Sequence, residues 1–224
     1  MSARETMFTR IRARLPAGTA AQRAAAVDER LARHARNLVP ARGAGDEAHR
    51  IGVFTAMMEA VGGTVETLDD VNDVPHAVAA YLRRGNLPAH VRRGVDPLLA
   101  RLPWHRGGAI EVAEGRAEES DRASVTRAFA GVAESGTIIQ ISGPENPTTL
   151  NFLPEAHIVL LEASQLFGSY EEVWTKLRAA MGEGNMPRTV NMISGPSRTA
   201  DIEQTIVRPA HGPKNMHVII VRGS

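Results

Sequence analysis

The chain has 224 residues, 43% of them hydrophobic and 23% charged, with a formal net charge of +1. Such a chain suits a globular protein with one sizeable core, or a core plus an arm, and its charge balance carries no nucleic-acid signal. It holds no cysteine, which excludes disulfides, thiolate nucleophiles and Cys-ligated zinc or iron–sulfur clusters, so an electron-transfer role would need a borrowed redox centre. Aromatic residues, at 4%, are too few for a base-stacking platform. No apolar run reaches the roughly 18 residues of a membrane span. The start, MSARETMFTRIRARL, lacks the apolar core of a secretory signal, and a cytoplasmic location is expected.

In chain order, Met7, Ile11 and Leu15 recur on one helical face, Pro16 and Gly18 interrupt, and AQRAAAVDERLARHAR (Ala21 to Arg36) is rich in strong helix formers. Residues 1–42 carry nine Arg against Glu5, Asp28 and Glu29, an excess of 9 − 3 = +6. This reads as a solvated helical arm, with Pro40 to Gly45 as linker, giving an arm and linker over 1–45 and an α/β domain over 46–224. The spacing predicts helices over Val53–Val61, Pro75–Arg84, Pro97–Leu102, Thr126–Ala133 and Tyr170–Met181. Strands are predicted over Thr64–Leu68, Leu87–Val91, Ala109–Val112, Thr137–Ile141, His157–Leu161, Thr189–Ile193 and Met216–Val221. Alternating strands and helices, with the continuous apolar run HIVLL, indicate an α/β fold: a mainly parallel sheet covered by helices.

Four polar stretches flank these strands. In AESGTI, Glu134, Ser135 and Thr137 surround Gly136, which suits a positive φ or a close backbone approach; the spacing alone favours a helix end turning into a strand over a functional polar loop at the sheet's rim. In TTLNFLPEAHIVLL, His157 opens an apolar strand, the usual setting of a hydrogen-bonded core histidine, with Asn151 and Glu155 nearby and Thr148–Thr149 able to offer hydroxyls. In ISGPSRTADIEQ, Ser194, Gly195, Ser197, Arg198 and Thr199 lie between a strand and a helix-like stretch. Free N–H groups there, with an Arg198 clamp, would hold an anion. Asp201 and Glu203 complement the helix start, disfavour a highly charged phosphate, and leave a monoanionic carboxylate, acid/base service or a plain cap as readings. In HGPKNMHVIIV, His211 sits in a turn; His211 and His217 lack a third ligand, and no metal site is expected. Gly43, Gly45 and Ala48 fit G-x-G-x-x-A without a preceding strand and are discounted as a dinucleotide fingerprint; GxxxxGK[ST] and G-x-S-x-G are absent.

Taken together, AESGT, LPEAHIVLL, ISGPSRTADIEQ and HGPKNMHVIIV, in that order, resemble the lactate utilization protein C family, the LUD domain; the Arg-rich start is similar to that family's arm. The resemblance implies a fold similar to the CoA-transferase, ribose-phosphate isomerase and formyltetrahydrofolate cyclo-ligase group. It also implies membership of a three-part system oxidising L-lactate to pyruvate, with iron–sulfur clusters in Cys-rich and iron–sulfur partner proteins and no cofactor on this chain. On that reading Glu134, His157 and His211 are candidates for proton handling. Ser135, Thr137, Ser194, Gly195, Ser197, Arg198 and Thr199 would hold a small carboxylate such as L-lactate, and the arm would dock on a partner. The alternatives are a stand-alone transferase, isomerase or ligase on the same fold, and a non-catalytic carboxylate-binding module.

Overall fold

The computed structural model describes residues 2–14, 18–36, 38–182, 184–198 and 212–222. The chain divides into two units, Met1–Leu38 and Val39–Ser224. The first holds α1 (Ala3–Arg14) and α2 (Ala20–Arg33), neither with a buried residue. Thr19 opens α2 with a capping box: its hydroxyl accepts from Gln22 N at 3.2 Å while the Gln22 side chain accepts from Thr19 N at 2.8 Å. Met7, Phe8 and Ile11 on α1 and Val27 and Leu31 on α2 are exposed.

The second unit is built on β1 (Thr64–Leu68), β2 (His90–Arg93), β3 (Glu111–Glu114), β4 (Ala123–Arg127), β7 (Ala156–Glu162) and β10 (Asn215–Val221), all paired parallel in the order β1-β10-β7-β4-β2-β3. A second sheet, order β8-β5-β6-β9, holds β5 (Ala130–Val132), β6 (Thr137–Ile141), β8 (Leu166–Phe167) and β9 (Val190–Ile193); β5–β6 and β6–β9 are antiparallel. The helices of this unit are α3 (Glu47–Ala60), α4 (Val74–Arg84), α5 (Pro97–Arg101), α6 (Thr149–Phe152) and α7 (Tyr170–Met181).

Side-chain alternation sorts the central strands between two cores. Ile158 and Leu160 of β7 and Ile219 of β10 join Val78 and Leu82 of α4 in one. Val159, Leu161, Val218 and Ile220 join Phe54 and Met58 of α3 and Ile138 of β6 in the other. His157 shares parity with Val159, so its side chain belongs to the face toward the second sheet.

The helix expected over Thr126–Ala133 is replaced by the end of β4 and by β5. The small residues of this stretch serve packing here rather than helix propensity: a Cβ on Gly131 would lie 2.7 Å from Leu161 Cδ2. The expected strands at Leu87 and Ala109 begin later, at His90 and Glu111. Leu87 N still donates to Leu82 O and closes α4. The helix-like stretch after Arg198 lies outside the described residues. No helix among the described residues is long and apolar enough to cross a membrane.

Candidate functional site

The site is assembled where β6, β7, β9 and α7 meet. A short 3-10 turn, Ala133–Ser135, ends on Gly136 in the left-handed region, φ 62°, and leads into β6. A Cβ on Gly136 would lie 2.7 Å from Met57 Cβ, so the glycine meets both the φ and the close approach expected of it. Glu134 is buried beside the first turn of α7, where its Oε1 accepts from Tyr170 N at 3.2 Å; unpaired N–H groups at a helix start favour a carboxylate there. Glu134 Oε2 is buried with no partner among the described residues.

Four hydroxyls gather beside it. Thr137 Oγ1 lies 2.8 Å from Ser135 Oγ, 2.7 Å from Tyr170 OH and 2.7 Å from Ser194 Oγ. Ser135 Oγ donates to Tyr170 OH at 3.0 Å. Ser194, the first residue after β9, carries this network to the wall of a cavity of about 230 Å³. Asn151, His157, Gly195, Ser197 and Met216 also line that cavity. Gly195 is at φ 108°, and a Cβ there would overlap Val61, so the loop's course depends on glycine. Ser197 N donates to Pro213 O at 2.8 Å.

His157 and Asn151 are fully buried. His157 Nε2 meets Thr126 Oγ1 at 2.8 Å, and burial pushes the imidazole down to about 3, keeping it neutral. Among the described residues, His157 Nδ1 and both amide atoms of Asn151 find no partner, and neither does the buried Arg198 Nε, just beyond the cavity-lining Ser197. Each such atom costs about 1–3 kcal/mol of lost hydration. Three of them belong to Asn151 and His157, two residues that line one cavity.

The structure thus brings His157, Ser194, Gly195 and Ser197 to one cavity, Ser135 and Thr137 to its edge by hydroxyl contact, and Glu134 behind Tyr170. Thr199, Asp201, Glu203 and His211 lie outside the described residues. Thr149 is used locally, its hydroxyl accepting from Ala117 N at 3.1 Å, and Glu155 pairs with Arg122 and Lys214. His217 stacks on Tyr81 with centroids 4.4 Å apart, on the opposite face from His157. Asn151, known from sequence only as a neighbour of His157, lines the cavity with it. Tyr170, Thr126 and Gln140 were not singled out, for nothing local to them signals a contact made across the fold. No group of three or more potential metal ligands occurs among the described residues.

A larger cavity, about 450 Å³, opens beyond the carboxyl ends of β2 and β4 and is bordered by the loop Ser142–Asn146, Asp96, Arg127 and Lys176. The connections leaving β2 and β4 run to opposite sides of the sheet, the switch point at which open parallel sheets form crevices. Lys176 Nζ donates to Phe129 O at 2.5 Å and to Gln165 Oε1. Burial, with Arg127 nearby, lowers its pKa to about 8 against the opposing pull of Glu162.

A "Lactate utilization protein C" of Shouchella clausii is 34% identical over 106 residues, 46% of each chain. Another so named, from Halalkalibacterium halodurans, is 36% identical over 108 residues, again 46% of each. An uncharacterized protein of Neisseria meningitidis is 34% identical over 99 residues, 44% of this chain and 42% of that one. The matches therefore span a little under half the length of these relatives. A crystal structure of a DUF162 family protein from Deinococcus radiodurans superposes with TM-score 0.61 at 19% identity, covering 80% of this chain and 99% of that one, a likeness of fold. The LUD domain family model matches residues 51–221, from within α3 to the end of β10, and the chain belongs to the LUD domain family.

Proposed function

We propose that this chain serves lactate utilization by holding a small α-hydroxy carboxylate, L-lactate, in the cavity between Asn151, His157 and the Ser194–Ser197 loop. The observation that carries the reading is that two cavity-lining residues hold buried atoms with no partner among the described residues, His157 Nδ1 and Asn151 Nδ2 and Oδ1. A volume of about 230 Å³ suits a metabolite of this size. Asn151 offers a donor to a carboxylate oxygen and an acceptor to the substrate hydroxyl. Arg198 supplies positive charge beside Ser197, and Ser194 adds a hydroxyl tied through Thr137 to Tyr170.

Oxidation of L-lactate to pyruvate releases two electrons and two protons. The chain has no cysteine, so on this reading the electrons pass to redox centres of Cys-rich and iron–sulfur partner proteins, with this chain as the cofactor-free member of the assembly. A ring as weakly basic as His157 holds an oxygen better than it takes a proton, which leaves Glu134 as the buried carboxylate nearest the hydroxyl network. The names of the relatives, lactate utilization protein C, support the same pathway.

The test is lactate-dependent dye reduction by this chain alone, by the Cys-rich and iron–sulfur proteins of the same source, and by all three together. Reduction only in the full mixture, with co-elution, is expected. Full reduction without this chain would overturn the reading.

A further inference from the structure

A chain of buried side-chain hydrogen bonds links the wall of the larger cavity to His157, and its direction is set at the far end. Asn146 Nδ2 lies 3.4 Å from Ile141 O, a carbonyl that can only accept, and donates to Gln140 Oε1 at 2.9 Å. Reversing the Asn146 amide would set oxygen against oxygen at the Ile141 contact. With its oxygen engaged, Gln140 turns Nε2 toward Thr126 and donates to Oγ1 at 2.8 Å. Thr126 Oγ1 has one hydrogen to give, and among the described residues the neighbour able to take it is His157 Nε2, 2.8 Å away. The whole run is sealed: Thr126, Gln140 and His157 are each 1% exposed or less, so a hydroxyl hydrogen with no acceptor would be costly. Nε2 is therefore the ring's acceptor, and in a neutral imidazole the proton resides on the other nitrogen.

The geometry points to Gln140 and Thr126 as positioning residues that hold His157 as its Nδ1–H tautomer, so that the small cavity presents an N–H donor and selects an oxygen acceptor of its ligand; this rests on the reading of that cavity as the carboxylate site. On this reading Asn151, which lines the same cavity, offers the carboxylate a second donor and a hydroxyl an acceptor. The same tautomer turns away a metal ion, which needs a bare ring nitrogen, and a ligand that offers only N–H groups. Neither Gln140 nor Thr126 lines the small cavity; each acts through the ring.

The test is long-range ¹H–¹⁵N correlation on the full chain labelled in histidine, near neutral pH and without ligand. The expected spectrum shows a pyrrole-type shift at His157 Nδ1 and a pyridine-type shift at Nε2. Thr126→Val removes the hydroxyl at nearly constant shape and should move both shifts toward the averaged values of an unfixed ring. Thr126→Ser should restore the original pattern. L-lactate should bind Thr126→Val roughly tenfold more weakly, about 1.4 kcal/mol. A proton on Nε2 in the unaltered chain, or shifts unmoved in a folded Thr126→Val, would overturn the inference. A fixed Nδ1–H ring in a chain that binds no L-lactate would uphold the relay and remove the carboxylate reading.

Discussion

Thr137 and Ser194 place their hydroxyl oxygens 2.7 Å apart although 57 positions separate them in sequence, and this contact joins the turn before β6 to the loop after β9. Thr137 is completely buried and touches three other hydroxyls. Thr137→Val keeps the shape and leaves Ser135, Tyr170 and Ser194 short of a partner. A loss of about 1–3 kcal/mol in urea unfolding is expected, with Thr137→Ser recovering the larger part. An unchanged midpoint for Thr137→Val would mean the cluster contributes nothing to stability.

Asn151 gives the opposite expectation. Its amide is fully buried and finds no partner among the described residues at either atom, so Asn151→Leu exchanges two unsatisfied groups for an apolar side chain of similar size. Stability should hold or rise by about 1 kcal/mol. A marked fall would show that Asn151 is already satisfied within the fold.

Acidification should weaken the fold through two histidines. Unfolded, each imidazole binds its proton near pH 6.5. Folded, burial holds His157 at about 3, and burial together with the Arg84 charge holds His217 at about 4 despite its Thr64 contact. His217 Nε2 lies 3.6 Å from Glu66, yet the neutral ring forms no ion pair there. Below pH 6.5 the unfolded chain thus binds more protons, and stability falls with pH by up to about 1.4 kcal/mol per unit for each group. Urea curves between about pH 6.5 and 5 should show the slope, reduced by one proton's share in His217→Phe. A flat profile would contradict the burial argument.

Arg198→Ala tests the loop as an anion holder. If its guanidinium faces a ligand carboxylate, affinity for L-lactate should drop by about 2 kcal/mol with little change in unfolding. Loss of stability without loss of affinity would reassign Arg198 to packing of the Ser194–Ser197 loop.

Much of the fold was legible in the sequence because its strands are buried on both faces. HIVLL reads as a central parallel strand, and it is one: β7 pairs with β4 and β10. The four polar stretches were visible as departures from that apolar background, and each supplies described residues of the site, the fourth through Gly212, Pro213 and Met216 rather than His211. The second sheet was not legible. Its β5 is only Ala130, Gly131 and Val132, too short to show a strand alternation, and Gly131 is required there by contact with Leu161 and Leu166. Tyr170 reads as the first residue of an amphipathic helix, and its hydroxyl reaches Thr137 through tertiary packing alone. The same holds for Thr126 and Gln140, which face each other across strands fourteen residues apart.

The most direct measurement is calorimetric titration of L-lactate into the purified chain and into Asn151→Leu, with propionate as the analogue lacking the hydroxyl. The account predicts one L-lactate per chain, weaker binding of propionate, and at least a tenfold loss of L-lactate affinity in a folded Asn151→Leu. Equal affinity in the two proteins, or no binding to either, would contradict it.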